Sequence, residues 1–160
     1  MRFLKSFRAA FRGILYCMNH ERHMRVHTVA ALVTFLASFF FGFSRTDYAI
    51  LFLTYALVAA SELFNTVSEE LADLLREGFH PRIRVSKDMA AGAVLVCAIF
   101  SVAVGICLFG KPEGFVRMFV FFCDYPWMWG VAALLLLSSL IFIFAGPYGI
   151  RDFFRKRKID

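Results

Sequence analysis

The sequence predicts an all-α integral membrane bundle, and both composition and hydropathy point to it. The 160 residues are 60% hydrophobic and include 21 Phe, with a mean hydropathy of +0.67. A soluble domain of this length could not cover so much apolar surface. Four apolar runs approach the ~20 residues that a helix needs to cross a bilayer; they are 26–43, 48–60 with a polar continuation, 89–109 and 127–145. We therefore expect three core transmembrane helices and a fourth span after them.

The first 18 residues predict an amphipathic helix on the membrane surface. Apolar side chains recur there at helical spacing, and cations occupy much of the remaining circumference. This pattern is typical of a helix that lies in the interface with its cations toward lipid phosphates. A basic tail that binds a soluble partner is the alternative. The apolar positions are Phe3, Phe7, Ala10, Phe11, Ile14, Leu15 and Met18, and the cations are Arg2, Lys5, Arg8 and Arg12.

Proline and glycine mark the ends of the fourth apolar run. Pro126 suits a helix start, and Gly146 with Pro147 suits a helix stop. The short apolar stretch before this run, 113–125, is interpreted as an interfacial segment. We expect a membrane domain at 1–110 that includes the surface helix, followed at 111–160 by the interfacial segment, the fourth span and a basic tail.

The distribution of Lys and Arg predicts the orientation. With four spans, 15 of the 18 cations lie on one side, so both termini of this multi-pass protein of the cell membrane are expected in the cytoplasm. A three-span arrangement would place the basic tail outside. The formal charge of +6 favours an anionic lipid surface over nucleic acid as the partner of so apolar a chain.

A group of acidic residues ends the second apolar run, in the stretch SELFNTVSEELAD at 61–73. An ionisable residue at the edge of a bilayer costs on the order of a few kcal/mol and so indicates a function. At about 100° per residue, four of these polar residues fall within an arc of about 80° on one helix face, and Glu70 points aside. The four are Glu62, Asn65, Glu69 and Asp73.

Three further polar residues are expected at the same depth. Lys87 and Asp88 stand at the entrance of the third run, and Glu21 precedes the first. Carboxylate oxygens suit Mg²⁺, which completes its shell with water and phosphates, and Lys suits a phosphate. The set therefore favours phosphoryl transfer. A structural ion pair between Glu62 and Lys87 is the alternative.

These residues resemble the small prokaryotic lipid kinases of the diacylglycerol kinase and undecaprenol kinase family. The resemblance rests on NHERHMRVH before the first run, ELFNTVSEELADL at the end of the second and KDMAAGAV at the start of the third. It covers roughly 3–109, and the spacing of Glu62, Asn65 and Glu69 followed by Lys87 and Asp88 is its most specific part. The fourth span departs from the three that are usual in the family.

The resemblance implies a homotrimeric enzyme that moves the γ-phosphate of MgATP to a lipid alcohol at the cytoplasmic interface. Glu62 matches the proton-accepting glutamate, and Glu21 and Glu69 match the Mg²⁺ ligands. Asn65, Lys87 and Asp88 match other polar positions of the site, where Lys87 and Asp88 with Asn65 bind the nucleotide. KDMAAGAV is more similar to the undecaprenol kinases, so undecaprenol is favoured over diacylglycerol.

Other functions fit the sequence less well. A non-catalytic membrane scaffold or lipid-binding protein that keeps the family fold is the main alternative. HERH lacks the HExxH zinc spacing, and His23 and His27 are interpreted as interfacial residues. The sequence contains no P-loop and no Rossmann fingerprint, so ATP would be held in another way.

Overall fold

Six helices follow one another in the computed structural model, which describes residues 2–75 and 81–156. They are α1 Arg2–His20, α2 Arg22–Ser38, α3 Arg45–Leu74, α4 Pro81–Phe109, α5 Pro112–Asp124 and α6 Trp127–Lys156. No strand occurs in the described ranges, and the predicted all-α fold is confirmed. Two parts of the predicted cationic segments, 76–80 and 157–160, lie outside the described residues.

The predicted amphipathic segment forms α1, and its break from α2 is a single residue. Phe3, Phe7 and Phe11 are exposed along one face of α1. The helix ends at His20, and Glu21 adopts an extended backbone with φ −96° and ψ 119° before α2 begins. Glu21 therefore occupies the corner between two helices.

Helix α2 is shorter than the sequence predicts. It ends at Ser38 instead of continuing to residue 43, because the chain tightens there into turns and Gly42 takes a positive φ of 61°. Ser44 and Asp47 then form a capping box that starts α3. At 1.5 Å per residue the 17 residues of α2 rise about 25 Å, less than the about 30 Å of a hydrocarbon core.

Three helices within the described ranges are long and apolar enough to cross a membrane. They are Arg45–Leu74, Arg82–Phe109 and Trp127–Gly149, which correspond to the second, third and fourth predicted spans. Helix α3 packs mainly against α4, and α2 packs against α3 and α6. Most large apolar side chains on these helices are exposed, as expected of a surface that faces lipid.

Aromatic packing closes one end of the bundle. Phe41, 2% exposed, contacts Phe109 and Phe115 edge to face, with ring centroids 4.9 and 5.0 Å away. Gly114 of α5 lies directly against the Phe41 ring. The stretch predicted to be interfacial is thus a helix, α5, that is anchored to the turn after α2.

The predicted stop in the fourth span is a break inside α6. Gly146 has φ 66° and ψ 170°, and Pro147 follows it. The backbone leaves the helical conformation at Gly146 and resumes it afterwards, so α6 continues to Lys156. Pro126 precedes the first residue of α6, as predicted.

Candidate active site at the corner of α1, α2 and α3

The polar face of α3 is graded in burial. Glu62 is only 2% exposed, whereas Asn65 and Glu69 are partly exposed and the side chain of Asp73 is 59% exposed. Glu70 points aside, as the helical periodicity predicts, and accepts a hydrogen bond of 2.6 Å from the Tyr16 hydroxyl. The face therefore runs from a dry environment to water over three helical turns.

The buried carboxylate of Glu62 has a partner on α2. Its Oε1 lies 3.2 Å from Nε2 of His27. The alternative pairing of Glu62 with Lys87 is not the one formed, because Lys87 lies 3.3 Å from Asp73 instead. A buried carboxylate with one imidazole partner is a poor structural device compared with apolar packing, and its retention indicates a function.

Sequence reasoning missed His27. It was interpreted as interfacial, together with His23, because neither formed a metal-ligand pattern. One signal was available, since His27 is the second residue of the apolar run 26–43, and a titratable residue at the edge of a bilayer is itself costly. Its partner depended on how α2 rotates against α3, which the sequence does not reveal.

Asn65 orients one carboxylate and leaves an acceptor unused. Its Nδ2 donates to Oε1 of Glu69 over 3.1 Å. The Asn65 Oδ1 atom is buried and has no hydrogen-bond partner within the described part of the chain. Buried polar atoms in proteins are almost always satisfied, so this oxygen is suited to a water molecule or a ligand.

Glu21 lies in the electrostatic field of the α3 acids. Burial, and after it the negative charges of Glu69 and Glu62, raise the pKa of the Glu21 carboxyl. Glu21 is therefore close enough to both α3 carboxylates to be influenced by their charge. Like charges that crowd in this way are relieved by a bound cation, and oxygen donors of this type suit Mg²⁺.

The described residues do not form a closed metal cage. Among them no group of three His, Cys, Asp or Glu side chains is placed to hold a metal ion together. Mg²⁺ is usually bound by one or two carboxylates and keeps water and substrate phosphates as its other ligands. Glu21 and Glu69, with the Asn65 oxygen nearby, are the residues that could hold it.

Lys87 and Asp88 occupy the edge of the site. Lys87 is partly exposed and contacts Asp73, the outermost acid of the polar face, and Asp88 is exposed. They stand near the start of α4, where a soluble nucleotide could reach them. The structure does not bring either residue into contact with Glu62.

Two contacts fix α1 against this face of α3. Cys17 Sγ lies 3.1 Å from Thr66 Oγ1, and Thr66 donates in turn to the Glu62 carbonyl. Tyr16 adds its bond to Glu70, which raises the pKa of the Tyr16 hydroxyl. These two contacts hold α1 beside α3 near Glu62.

The fold and the site define a helical membrane protein with a carboxylate-rich centre at the end of its spans. Comparison with known sequences specifies the class further, because the profile of the family described as prokaryotic diacylglycerol kinase matches residues 8–109. The chain belongs to this family of lipid kinases, as its motifs predicted. Helices α5 and α6 lie outside the match.

Three curated relatives are similar to the same region. The diacylglycerol kinase of Synechocystis sp. is 38% identical over 110 residues, which cover 68% of this chain and 63% of the relative. The undecaprenol kinase of Bacillus subtilis is 37% identical over 108 residues, 68% of this chain and 88% of the relative. The diacylglycerol kinase of Helicobacter pylori is 26% identical over 103 residues, 60% of this chain and 80% of the relative. The chain thus spans less than two thirds of the Synechocystis protein. No solved structure matches the chain.

Proposed function

We propose that this chain transfers the γ-phosphate of ATP to a lipid alcohol, and that the alcohol is undecaprenol in preference to diacylglycerol. The observation that carries the proposal is the buried Glu62, which is paired with His27 and lies on one face with Asn65 and Glu69. Glu62 is shielded from water, whereas Glu21 and Glu69 are partly exposed and suit a metal ion. A site of this kind can serve both substrates of a lipid kinase. One is an alcohol confined to the bilayer, and the other is a nucleotide from water.

Glu62 accepts the proton in this reaction. As the lipid hydroxyl oxygen forms its bond to the γ-phosphorus, the bond from that phosphorus to the bridging oxygen of ADP breaks and the hydroxyl proton passes to the Glu62 carboxylate. His27, 3.2 Å away, holds the carboxylate in place through Nε2. Exclusion of water from this part of the face limits hydrolysis of ATP.

The other site residues bind the nucleotide and the metal. Mg²⁺, when bound, neutralises charge on the phosphates. Glu21 and Glu69 would hold it, and Asn65 fixes the Glu69 carboxylate by its 3.1 Å hydrogen bond. Lys87 leaves Asp73 and binds a phosphate oxygen. The change costs little, because the 3.3 Å ion pair between Lys87 and Asp73 is exposed to water. Asp88, with Asn65, lies beside the nucleotide.

A cavity of about 260 Å³ supports a lipid with a single chain. It is lined by α2, α3 and α4, and its lining includes His27 and small residues such as Ala30, Ala59 and Gly105. The volume is below that of most pockets for a whole drug-sized ligand, so it suits the first part of one hydrocarbon chain. Two further observations favour undecaprenol. The Bacillus relative is an undecaprenol kinase, and KDMAAGAV resembles the undecaprenol kinases.

The setting of the enzyme follows from the same proposal. The protein spans the cell membrane several times with both termini in the cytoplasm, acts as a homotrimer, and has no nucleic acid partner. The many exposed apolar side chains of α3 and α4 provide surface for lipid and for other subunits.

The direct test is phosphate transfer from γ-labelled ATP by the purified protein in mixed micelles, with undecaprenol and diacylglycerol assayed in parallel. We expect label on undecaprenol, and a loss of at least about 100-fold in Glu62→Gln, in line with the removal of a general base. The matched control is Glu113→Gln, an exposed acid in the first turn of α5, which should retain full activity.

Each other outcome has a defined meaning. Label on diacylglycerol alone would keep the kinase and reverse the choice of substrate. Absence of label on both lipids would favour the non-catalytic scaffold or lipid-binding protein.

A further inference from the structure

Helix α6 lies outside the family match, yet its break is tied to the catalytic region. Pro147 has no backbone N–H, so the carbonyl of Ile143, four residues earlier, lacks its intrahelical donor. Arg25 of α2 replaces that donor, because its Nε lies 3.0 Å from the Ile143 oxygen. Gly146 permits the approach, since the Arg25 guanidinium occupies the space beside its Cα.

The other arm of the same guanidinium caps α1. Arg25 Nη1 donates to the carbonyls of Met18 and Asn19, over 3.1 and 3.0 Å. The last carbonyls of a helix have no partner within it, so these two bonds complete the end of α1. Arg25 is only 7% exposed. One buried side chain thus joins the end of α1 to the break in α6.

The residues on either side of Glu21 also contact α6. The Arg22 guanidinium lies over the ring of Phe144, 4.4 Å from its centroid. The His20 ring meets Tyr148 edge to face at 5.9 Å. Both chain neighbours of Glu21 are therefore in contact with α6.

The side chain of Glu21 makes no capping hydrogen bond of its own at α2. Its backbone N–H is bound to the Cys17 carbonyl at 2.7 Å, so the direction of the carboxylate is set by the path of the corner. That path is held by Arg25, which bonds to the end of α1, and by the contacts of His20 and Arg22 with α6.

We propose that the broken end of α6 positions Glu21 for metal binding, with Arg25 as the positioning residue. This rests on the proposed function, in which Glu21 is a ligand of Mg²⁺. In this chain the segment after the family domain thus completes a site whose ligands lie within that domain. The corner at Glu21 is thus held by the Gly146–Pro147 break of the same chain.

The test compares two Gly→Ala variants of the full chain that differ in their distance from Arg25. In Gly146→Ala the new Cβ would lie 3.2 Å from Arg25 Nη1, at a positive φ that alanine rarely adopts. In Gly149→Ala, the control, the nearest atom would be Ala145 Cβ at an ordinary 3.5 Å. Arg25→Lys removes the forked donor, and Phe144→Leu removes only the ring beneath Arg22.

Binding of Mn²⁺, a spectroscopic substitute for Mg²⁺, is measured by electron paramagnetic resonance with a non-hydrolysable ATP analogue present. We expect about tenfold weaker binding in Gly146→Ala and Arg25→Lys, the usual effect of losing a residue that orients a metal ligand. A smaller loss is expected in Phe144→Leu, and none in Gly149→Ala. The KM for the lipid should stay unchanged in all four variants, which a general loss of structure would not allow.

Glu21→Gln, measured in parallel, separates two kinds of failure. If Glu21→Gln weakens Mn²⁺ binding while Gly146→Ala, Arg25→Lys and Phe144→Leu do not, the positioning role is wrong and the metal assignment stands. If Glu21→Gln binds Mn²⁺ as the wild type does, the metal assignment itself is wrong, and the positioning role falls with it. Should Arg25→Lys and Gly146→Ala fail to fold, unaltered binding in the milder Phe144→Leu would also contradict the proposal.

Discussion

Glu62 is the most deeply buried residue on the polar face of α3, at 2% exposed, and its carboxylate contacts His27. The helical period placed Glu62, Asn65 and Glu69 on one face, and their graded burial agrees with that expectation. The pairing with His27 and the hydrogen bond from Asn65 to Glu69 could not be predicted in the same way. Both depend on rotamers and on the rotation of one helix against another, which no spacing along a single helix determines.

The pair between His27 and Glu62 should matter for catalysis. In His27→Leu the Glu62 carboxylate remains buried without a donor, and such unsatisfied groups cost about 1–3 kcal/mol. We expect at least a tenfold loss of phosphate transfer. His27→Gln, which can still donate, should keep more activity than His27→Leu, and equal activities in the two variants would contradict a positioning role for the imidazole.

The ionised carboxylate of Glu21 should lower the free energy of unfolding of the metal-free protein. Its pKa is raised, so protonation stabilises the fold below the ordinary value of 4.5, and this contribution is lost as the pH rises through the raised value. At neutral pH without metal, Glu21→Gln should therefore unfold at a higher temperature than the wild type. The gain is at most about 1 kcal/mol, because Glu21 is partly exposed and water screens its charge.

Thermal unfolding of the purified protein in detergent, at pH 7 and at pH 4, checks this prediction. The difference between Glu21→Gln and the wild type should shrink at the lower pH, where the carboxyl is largely protonated in both states. A Glu21→Gln variant that is less stable than the wild type at pH 7 would contradict the electrostatic account.

The helices themselves were more predictable than their ends and their contacts. Apolar runs identified α3, α4 and α6, but α2 ends early because turns and the positive φ of Gly42 interrupt the run. The segment 113–125, expected at the interface, forms helix α5, whose contact with Phe41 depends on tertiary structure. Periodicity predicts which residues form a helix, and it says little about which neighbour that helix selects.

Gly114 should be essential to the docking of α5. A Cβ at this position would overlap the Phe41 ring, so Gly114→Ala forces the ring or the helix to move. Overpacking of this kind costs about 1–3 kcal/mol. Gly130→Ala is the matched control, because nothing lies within 4 Å of its new Cβ. Equal melting temperatures of the two variants would show that α5 is not anchored through Phe41.

At the scale of the whole molecule, the family domain was recognised from its motifs, and the role of the added segment was not. Fifteen of the 18 cations suggest a four-span arrangement, whereas the described structure shows three helices of sufficient length beside the shorter α2. The assembly of subunits leaves no pattern in one chain. The contact of α6 with the corner at Glu21 could not be predicted, because Arg25 and Ile143 are separated by 118 residues.

The orientation can be tested with reporters fused after Asp160. A green fluorescent protein fused there should fluoresce, and an alkaline phosphatase should be inactive, because the charge distribution predicts that this end lies in the cytoplasm. The same two reporters fused after Lys111 should give the opposite result. Active phosphatase at Asp160 would contradict a four-span arrangement with both termini in the cytoplasm.

The pair between α2 and α3 also bears on how the chain enters the bilayer during synthesis. If helix α3 entered the bilayer without α2, it would carry Glu62 into the hydrocarbon at a cost of a few kcal/mol. Helix α2, which is made first, has only 17 residues and carries the imidazole that contacts this carboxylate and lowers the cost. The six residues between Ser38 and Arg45 form a short link. The two helices are therefore expected to leave the translocation machinery together, as a hairpin in which the buried Glu62 already contacts His27 before lipid surrounds it.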